Sequence, residues 1–183
     1  MYSEEILFRR SPKAPFDRRA YAFLIDFIVV WLISSLVTNI FLEFFVFTLL
    51  WWILRVIIVD KNKGQSLGRW TMDLKIIDLR FNRLPSLLTL TKREGTVAIG
   101  AFLAMIALKI NFQDFLLMML FATPLLLDGL TIFTDDQYNQ SFHDRISGTM
   151  ITQTKRGFSL DLRLKKLFKE ARKTWQKNRK KYK

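Results

Sequence analysis

The sequence has no cysteine and a single histidine, and each scarcity excludes a class of site. Without cysteine the chain forms no disulfide, no cysteine–metal centre and no palmitoyl thioester. With one histidine, a multi-histidine metal site cannot form within one chain. Phosphate-binding glycine loops and nucleophile elbows are also missing. The sequence therefore predicts no enzyme, no cofactor, no metal site and no catalytic residue.

Hydrophobic residues make up 50% of the 183 residues and are concentrated in two blocks, at 20–59 and 96–133. A bilayer core of about 30 Å is crossed by about 20 apolar helical residues, so each block is long enough for a helical hairpin. The sequence predicts an all-α integral membrane protein with about four transmembrane helices in two hairpins. The predicted spans are about 20–40, 42–59, 95–110 and 115–133.

Polar segments divide the rest of the chain. The predicted divisions are a polar N-terminal arm at 1–17, a membrane domain at 18–152 with a connector at 60–94, and a basic tail at 153–183. Within the connector, residues 70–78 suit a short extended piece, and Ser86 suits the cap of a helix that carries Lys92 and Arg93.

Lysine and arginine are distributed unevenly between the loops. The turn at 38–43 has none and the link at 109–114 has only Lys109, whereas the arm, the connector and the tail are rich in both. The positive-inside rule then predicts an inner (plasma) membrane protein with both termini in the cytoplasm.

The tail has a pattern of its own. From Lys155 to Lys183 it contains 13 Lys/Arg and 2 Asp/Glu. Leu160, Leu164 and Leu167 recur at helical spacing, and basic residues cover the other sides. These basic residues are Arg163, Lys165, Lys166, Lys169, Arg172 and Lys173. The pattern predicts a basic amphipathic helix that binds anionic lipid headgroups, with nucleic acid or a ribosome as the rival partner.

A carboxylate, Asp26, lies inside the first span. An ionisable side chain there costs about 2.5–3.5 kcal/mol on insertion scales, so it needs a partner or a function. Arg19 precedes it by two helical turns on nearly the same face and is the expected partner. Arg55, near the cytoplasmic end of the second span, either extends to the headgroups or pairs with Asp26 or Asp128.

Two further acids lie in the apolar blocks. Asp128 follows Pro124 by one turn, and its carboxylate can accept hydrogen bonds from Thr123 or Thr131 of its own helix. Glu43 is expected at the outer interface, without a special role.

His143 and Asp144 stand side by side after the fourth span. Such a pair can serve catalysis, but adjacent side chains point apart and no activated nucleophile is evident. The sequence favours a polar cap that ties the fourth helix to the connector.

Three blocks of the chain resemble the RDD family of membrane proteins, in order, over about residues 14–152. The blocks are Phe16-Asp17-Arg18-Arg19 through Ala22 and Leu24-Ile25-Asp26; Gly64-Gln65-Ser66-Leu67-Gly68-Arg69 with Leu74-Lys75-Ile76-Ile77-Asp78 and Arg93-Glu94; and Gln140-Ser141-Phe142-His143-Asp144-Arg145-Ile146-Ser147-Gly148-Thr149. The family is named for one arginine and two aspartates.

The resemblance implies roles for particular residues. Arg19 matches the family arginine, with Arg18 as the alternative register; Asp26 matches the first aspartate, and either Asp144 or Asp128 matches the second. It also implies a cytoplasmic motif that contains Gly64, Gly68, Arg69, Arg93 and His143. Family members are described with about three spans, and some resemble ion/proton antiporters.

Two hypotheses of function follow. In the first, a small cation is transported in exchange for protons: Asp26 binds the ion or the proton, Arg19 competes for Asp26, and a homo-oligomer completes the path. In the second, the chain is a non-catalytic membrane scaffold or assembly subunit of a larger membrane complex. Its buried charges then hold the helices in register, and its basic tail docks an acidic partner, anionic lipid or a ribosome.

Overall fold

The computed structural model describes residues 12–110, 112–135, 138–154, 159, 160, 162–164, 166, 167, 169, 170 and 172. Predictions for residues 1–11, and for Lys165 and Lys173 of the tail, lie outside the described residues.

Long helices dominate the fold. In chain order the elements are α1 (Phe16–Ser34), α2 (Ile40–Lys61), α3 (Leu67–Thr71), β1 (Leu74–Asp78), α4 (Leu87–Ala107), α5 (Phe115–Leu130), α6 (Phe142–Ser147) and β2 (Thr149–Gln153). The mostly helical prediction is confirmed, but the all-α prediction is incomplete because β1 and β2 form a sheet. The described residues between 160 and 172 are also helical.

Among the described residues, two helices are long and apolar enough to cross a membrane. They are Ile40–Lys61, which is α2, and Phe115–Thr134, which is α5 with the 3₁₀ turn after it. The other two long helices, α1 and α4, carry charged residues in their first halves, such as Arg19 and Arg93.

The α4 helix begins earlier than the predicted third span. It starts at Leu87, where the Ser86 hydroxyl accepts a hydrogen bond from the Thr89 N–H at 3.3 Å. The sequence placed Lys92 and Arg93 on a helix capped by Ser86 but ended the connector at residue 94. One continuous helix contains both segments, and Gly95 at their junction is tolerated inside it.

The α2 helix contains a π-helical segment, Ile53–Ile57, between two α-helical stretches. The wider turn places Arg55 in the buried interior, with 3% of the residue exposed. Single π turns inside α-helices are frequent at functional sites. Nothing in the apolar pattern of this stretch predicted that the helix changes from α-helical to π-helical hydrogen bonding.

The sheet closes one end of the helices. β1 and β2 pair antiparallel, with Leu74 opposite Gln153 and Asp78 opposite Thr149. Lys13 bridges Thr152 on the other side of β2, so the described part of the N-terminal arm is bound to the sheet. The extended piece expected in the connector is therefore a strand over Leu74–Asp78.

The main core lies between α1, α2 and α4. Its buried side chains are Phe27, Val30, Phe47, Trp51, Val97, Ala101 and Met105. By contrast, α5 packs mainly against α4, and none of its described residues is fully buried. An apolar helix with this much exposed surface is typical of one that contacts lipid or another protein.

Candidate functional site

Asp26 is fully buried near the middle of α1 and accepts three hydrogen bonds. The donors are Arg55 Nη1 at 3.0 Å, the Ser66 hydroxyl at 2.6 Å and the Gly68 backbone N–H at 2.7 Å. Hydrogen bonds to the ionised form stabilise a carboxylate away from water. Asp26 thus links α1 to α2 and to the start of α3.

The short helix α3 meets Asp26 because of two residues at its start. The Ser66 hydroxyl caps the helix by accepting the Arg69 N–H, and it donates its own proton to Asp26. A Cβ atom on Gly68 would lie 1.9 Å from the Ala22 carbonyl oxygen, so only glycine allows this approach. The resulting contact joins the connector directly to α1.

Glu94 binds three arginines. Arg55 donates to it through Nε at 2.6 Å, Arg69 donates through Nη2 at 2.7 Å, and Arg93 donates through Nη1. These arginines come from α2, α3 and α4, and Glu94 is 1% exposed. Sequence reasoning missed this residue, although an acid at the edge of the third apolar block carries the same signal as Asp26.

Arg19 does not pair with Asp26, so the expectation of that ion pair is wrong. Arg19 donates to the Asp144 carboxylate and to the Asn139 carbonyl, and to the Ser141 hydroxyl at 3.2 Å. Two helical turns separate Arg19 from Asp26 by about 10.5 Å along the axis, so a shared face does not bring them together. Nearer groups on other elements bind each of them. Arg18, the alternative register, is half-buried.

Asp144 belongs to a capping box at the start of α6. Its carboxylate accepts from the Ser141 hydroxyl at 2.9 Å and from Arg93 Nε at 2.9 Å, in addition to Arg19. Burial alone raises the pKa of Asp144, but Arg93 and Arg19 outweigh it and hold this pKa well below its usual value. Asp144 is therefore an anion at neutral pH.

His143 ties α6 to the end of α5. Its Nδ1 lies 2.6 Å from Asp128 Oδ2, its backbone N–H donates to Asp128 Oδ1 at 3.0 Å, and its Nε2 lies 2.9 Å from Arg93 Nη2. Burial, and then Arg93, lower the pKa of His143. The neutral ring donates from Nδ1 and accepts at Nε2. The Asp128 carboxylate thus binds His143, whereas the Thr131 hydroxyl donates to the backbone carbonyl of Asp128.

We call this cluster the arginine network. Its members are Arg19, Asp26, Arg55, Arg69, Arg93, Glu94 and Asp144, with His143 and Asp128 attached. Sequence reasoning had selected every member except Glu94. Of the pairings, sequence reasoning offered only Arg55 with Asp26 as an alternative, and the structure contains it; the partners of Arg19 and Asp144 it did not find.

One buried donor of the arginine network lacks an acceptor among the described residues. Arg69 is 2% exposed, and its Nη1 has no hydrogen-bond partner among the described residues. Burial, and then Arg55, lower the pKa of Arg69 to about 10, so it remains charged at neutral pH. An unsatisfied buried donor costs about 1–3 kcal/mol, and more when it is charged.

A second, partly exposed ion pair lies at the opposite end of the helices. Glu43, in the first turn of α2, is fully buried and accepts from Lys109 Nζ at 2.6 Å. Glu43 thus binds a partner, a role that the sequence did not predict, whereas its expected position at the outer interface stays a prediction. Glu43 precedes Arg55 by twelve residues, or about 18 Å along the helix.

The remaining motif glycine shapes the turn before α3. Gly64 has φ +87 and donates its N–H to the Val59 carbonyl at 2.9 Å, while its own carbonyl accepts from the Ile76 N–H at 3.0 Å. A left-handed conformation at this position favours glycine. Gly64 thereby connects the end of α2 to β1.

A cavity of about 410 Å³ lies beside the arginine network, between α1, α5 and the sheet. Its walls are mostly apolar, and Arg19, Arg55, Arg69 and Arg93 line it together with Asp128 and His143. Within the part of the chain that the structure describes, no group of three or more acidic or histidine side chains is arranged to hold a metal ion.

Comparison with known proteins adds one assignment. Neither the curated proteins nor the solved structures contain a significant match. A family model, that of the RDD family, matches residues 13–148, which include all four long helices and the whole arginine network. Together with the two long apolar helices, this match indicates a membrane location. The chain belongs to the RDD family.

Proposed function

We propose that the chain is a non-catalytic membrane scaffold or assembly subunit, whose buried charges hold its helices in register. The observation that carries this proposal is the saturation of Asp26, whose carboxylate already binds Arg55, Ser66 and Gly68. A transported cation would have to displace these donors. Buried ion pairs with several hydrogen bonds fix one arrangement of the elements that share them.

The proposed topology has four spans with both termini in the cytoplasm of an inner-membrane protein. α1 and α4 contain 19 and 21 residues, so they are about 28 and 31 Å long, close to the thickness of a bilayer core. Arg19 and Asp26 of α1 and Arg93 and Glu94 of α4 are buried in the arginine network, whereas Asp17 and Lys92 are exposed in the first halves of these helices. The basic connector and tail support the orientation.

Single-cysteine labelling tests this topology, because the chain contains no native cysteine. Asn82→Cys in the connector should react with a membrane-impermeant maleimide only in inside-out vesicles. Leu36→Cys, in the turn between α1 and α2, should react only in right-side-out vesicles. Labelling of both positions from one side would contradict the four-span topology.

We propose that the tail docks on anionic lipid headgroups. In its described part Leu160, Leu164 and Leu167 are exposed, as an interfacial helix requires. The full chain in neutral nanodiscs should co-sediment with anionic vesicles and not with neutral ones. Glutamine at Arg163, Lys166, Lys169 and Arg172 should abolish this binding. Equal binding to both vesicles would contradict the proposal, and RNA-dependent binding would favour nucleic acid or a ribosome.

The scaffold has a helix available for a partner. In the 18-residue apolar window of α5 and its 3₁₀ turn only 6% of the residues are buried, so this helix offers most of its surface to a second copy or to another membrane subunit. Cross-linking of the reconstituted chain should therefore trap contacts through α5 before contacts through α2.

Cation transport coupled to protons is the second candidate, and the π-helical segment favours it. Arg55 lies in this segment and bridges Asp26 and Glu94, so a one-residue change of register would move its guanidinium away from both. Such a step could release Asp26 for an ion or a proton. This coupling uses Arg55, and not Arg19, as the competing cation.

Proton flux into liposomes separates the two functions. The scaffold function predicts no cation-dependent proton flux from folded protein. It also predicts a lower thermal midpoint for Asp26→Asn, with no change for the exposed control Asp17→Asn on the same helix. If the wild type carries flux and Asp26→Asn abolishes it while remaining folded, the scaffold function is overturned and transport is supported.

A further inference from the structure

The cavity beside the arginine network has the features of a binding site that neither proposed function uses. Its volume of about 410 Å³ lies within the range of about 300–1,000 Å³ typical of small-molecule pockets. Its surface is mostly apolar, with the polar groups gathered at one side. Such a division suits a ligand with one apolar body and one polar head.

The groups that line the cavity determine whether the polar head of the ligand is an anion or a cation. Four arginines of the arginine network line the cavity, whereas Asp26, Glu94 and Asp144 do not, and Asp128 is the carboxylate that does. Asp128 is itself bonded to His143. The four guanidiniums are balanced in charge by Asp26, Glu94, Asp144 and Asp128, but the network presents mainly N–H donors to the cavity, and these suit an anionic head.

An independent observation marks where the head would bind. Arg69 Nη1 is buried and has no acceptor among the described residues, and Arg69 forms part of the cavity wall. Buried charged donors are normally paired, so the missing acceptor indicates a group supplied by a ligand.

The position of the cavity indicates the source of the ligand. Its walls include Leu24 of α1 and Leu126 and Leu130 of α5, each about half exposed. α1 packs on α2 and α3, and α5 packs on α4, so the cavity lies where the two outer helices face each other. An amphiphile dissolved in the bilayer can enter sideways.

We propose that this cavity binds a single-chain anionic amphiphile of the fatty-acid class. The carboxylate accepts hydrogen bonds from Arg69, and the acyl chain lies between α1 and α5. The volume suits one chain rather than two. Occupancy would also fasten α5, the least buried long helix, to the rest of the fold.

Two glycines provide a matched pair of variants for the test. Gly129 lines the cavity and Gly95 does not, and at both positions an added Cβ meets nothing within 4 Å. Gly129→Phe places a large side chain at the cavity wall, whereas Gly95→Phe adds the same side chain on an exposed face of α4. Arg69→Gln removes the head-binding donor, and the glycine pair still decides the outcome if this variant does not fold.

The experiment uses the full chain in phosphatidylcholine nanodiscs with a diazirine analogue of hexadecanoate at one fixed mole fraction. Photo-cross-links mapped by peptide mass spectrometry should fall on the facing sides of α1 and α5, and unlabelled hexadecanoate should compete. Cross-linking should fall about tenfold in Gly129→Phe and in Arg69→Gln, and should stay within about twofold of wild type in Gly95→Phe.

Three results would overturn the proposal. The first is equal cross-linking in Gly129→Phe and wild type. The second is competition by hexadecanol as strong as by hexadecanoate, because the head would then need no charge. The third is stronger competition by hexadecyl phosphate, which would assign the site to a phosphate headgroup. Neither the vesicle-flux result nor the tail-binding result affects this outcome.

Discussion

The arginine network and the Glu43–Lys109 pair are both ion pairs between helices, but they differ in the number of partners and in enclosure. Glu94 binds three arginines, and each of these side chains is at most 4% exposed. Glu43 binds one lysine, whose side chain is 42% exposed. The lysine can exchange its partner for water and the arginines cannot, so the same substitution should have different effects at the two ends.

Glu94→Gln should have the largest effect. Three buried guanidiniums lose the carboxylate charge with which they all pair. The removal of one partner from a buried ion pair costs about 3–5 kcal/mol. We expect a lower midpoint of thermal unfolding in detergent, with much less folded protein recovered. Asp114→Asn, an exposed acid before α5, is the control. A midpoint equal to that of wild type would mean that the network does not stabilise the fold.

Glu43→Gln should have a smaller effect, about 1–2 kcal/mol, because the amide oxygen still accepts a hydrogen bond and Lys109 reaches water. The same unfolding assay measures it. The comparison fails if Glu43→Gln destabilises the protein as much as Glu94→Gln does.

The pH dependence of thermal stability tests the contribution of His143 to the arginine network. The pKa of the folded-state ring is lowered from about 6.5, so the unfolded state binds more protons and stability is lost as pH falls below about 6.5. We expect the thermal midpoint to fall between about pH 7 and pH 5.5, and His143→Gln to flatten this slope. Since the chain has one histidine, a slope that persists in the variant must come from another group.

The smallest effect is expected on α5. Leu120 is 66% exposed, so Leu120→Ala exchanges one lipid-facing apolar group for another and should change stability by less than about 0.5 kcal/mol. Phe47→Ala, in the core between α1, α2 and α4, should cost about 3–5 kcal/mol in the same assay. Similar losses from both would show that α5 is covered by protein rather than by lipid.

The sequence predicted the helical character and most members of the network, because apolar length and misplaced charge are local signals. It offered the Asp26–Arg55 pair only as an alternative and could not predict most other partners. Arg19 binds Asp144, 125 residues later in the chain, so the pairs depend on how the helices pack. The π-helical segment and the burial of Glu43 were missed for the same reason, since both depend on contacts with other helices.

The position of β2 has a practical consequence for protein engineering. This strand pairs with β1 on one side and with residues 12–14 on the other, and the Thr154 N–H donates to the Asp73 carbonyl at 2.7 Å. A reporter fused after Thr154 in place of the tail leaves all of these bonds intact. Shortening the chain by six more residues would remove β2, and with it the contacts to β1 and to the segment that leads into α1.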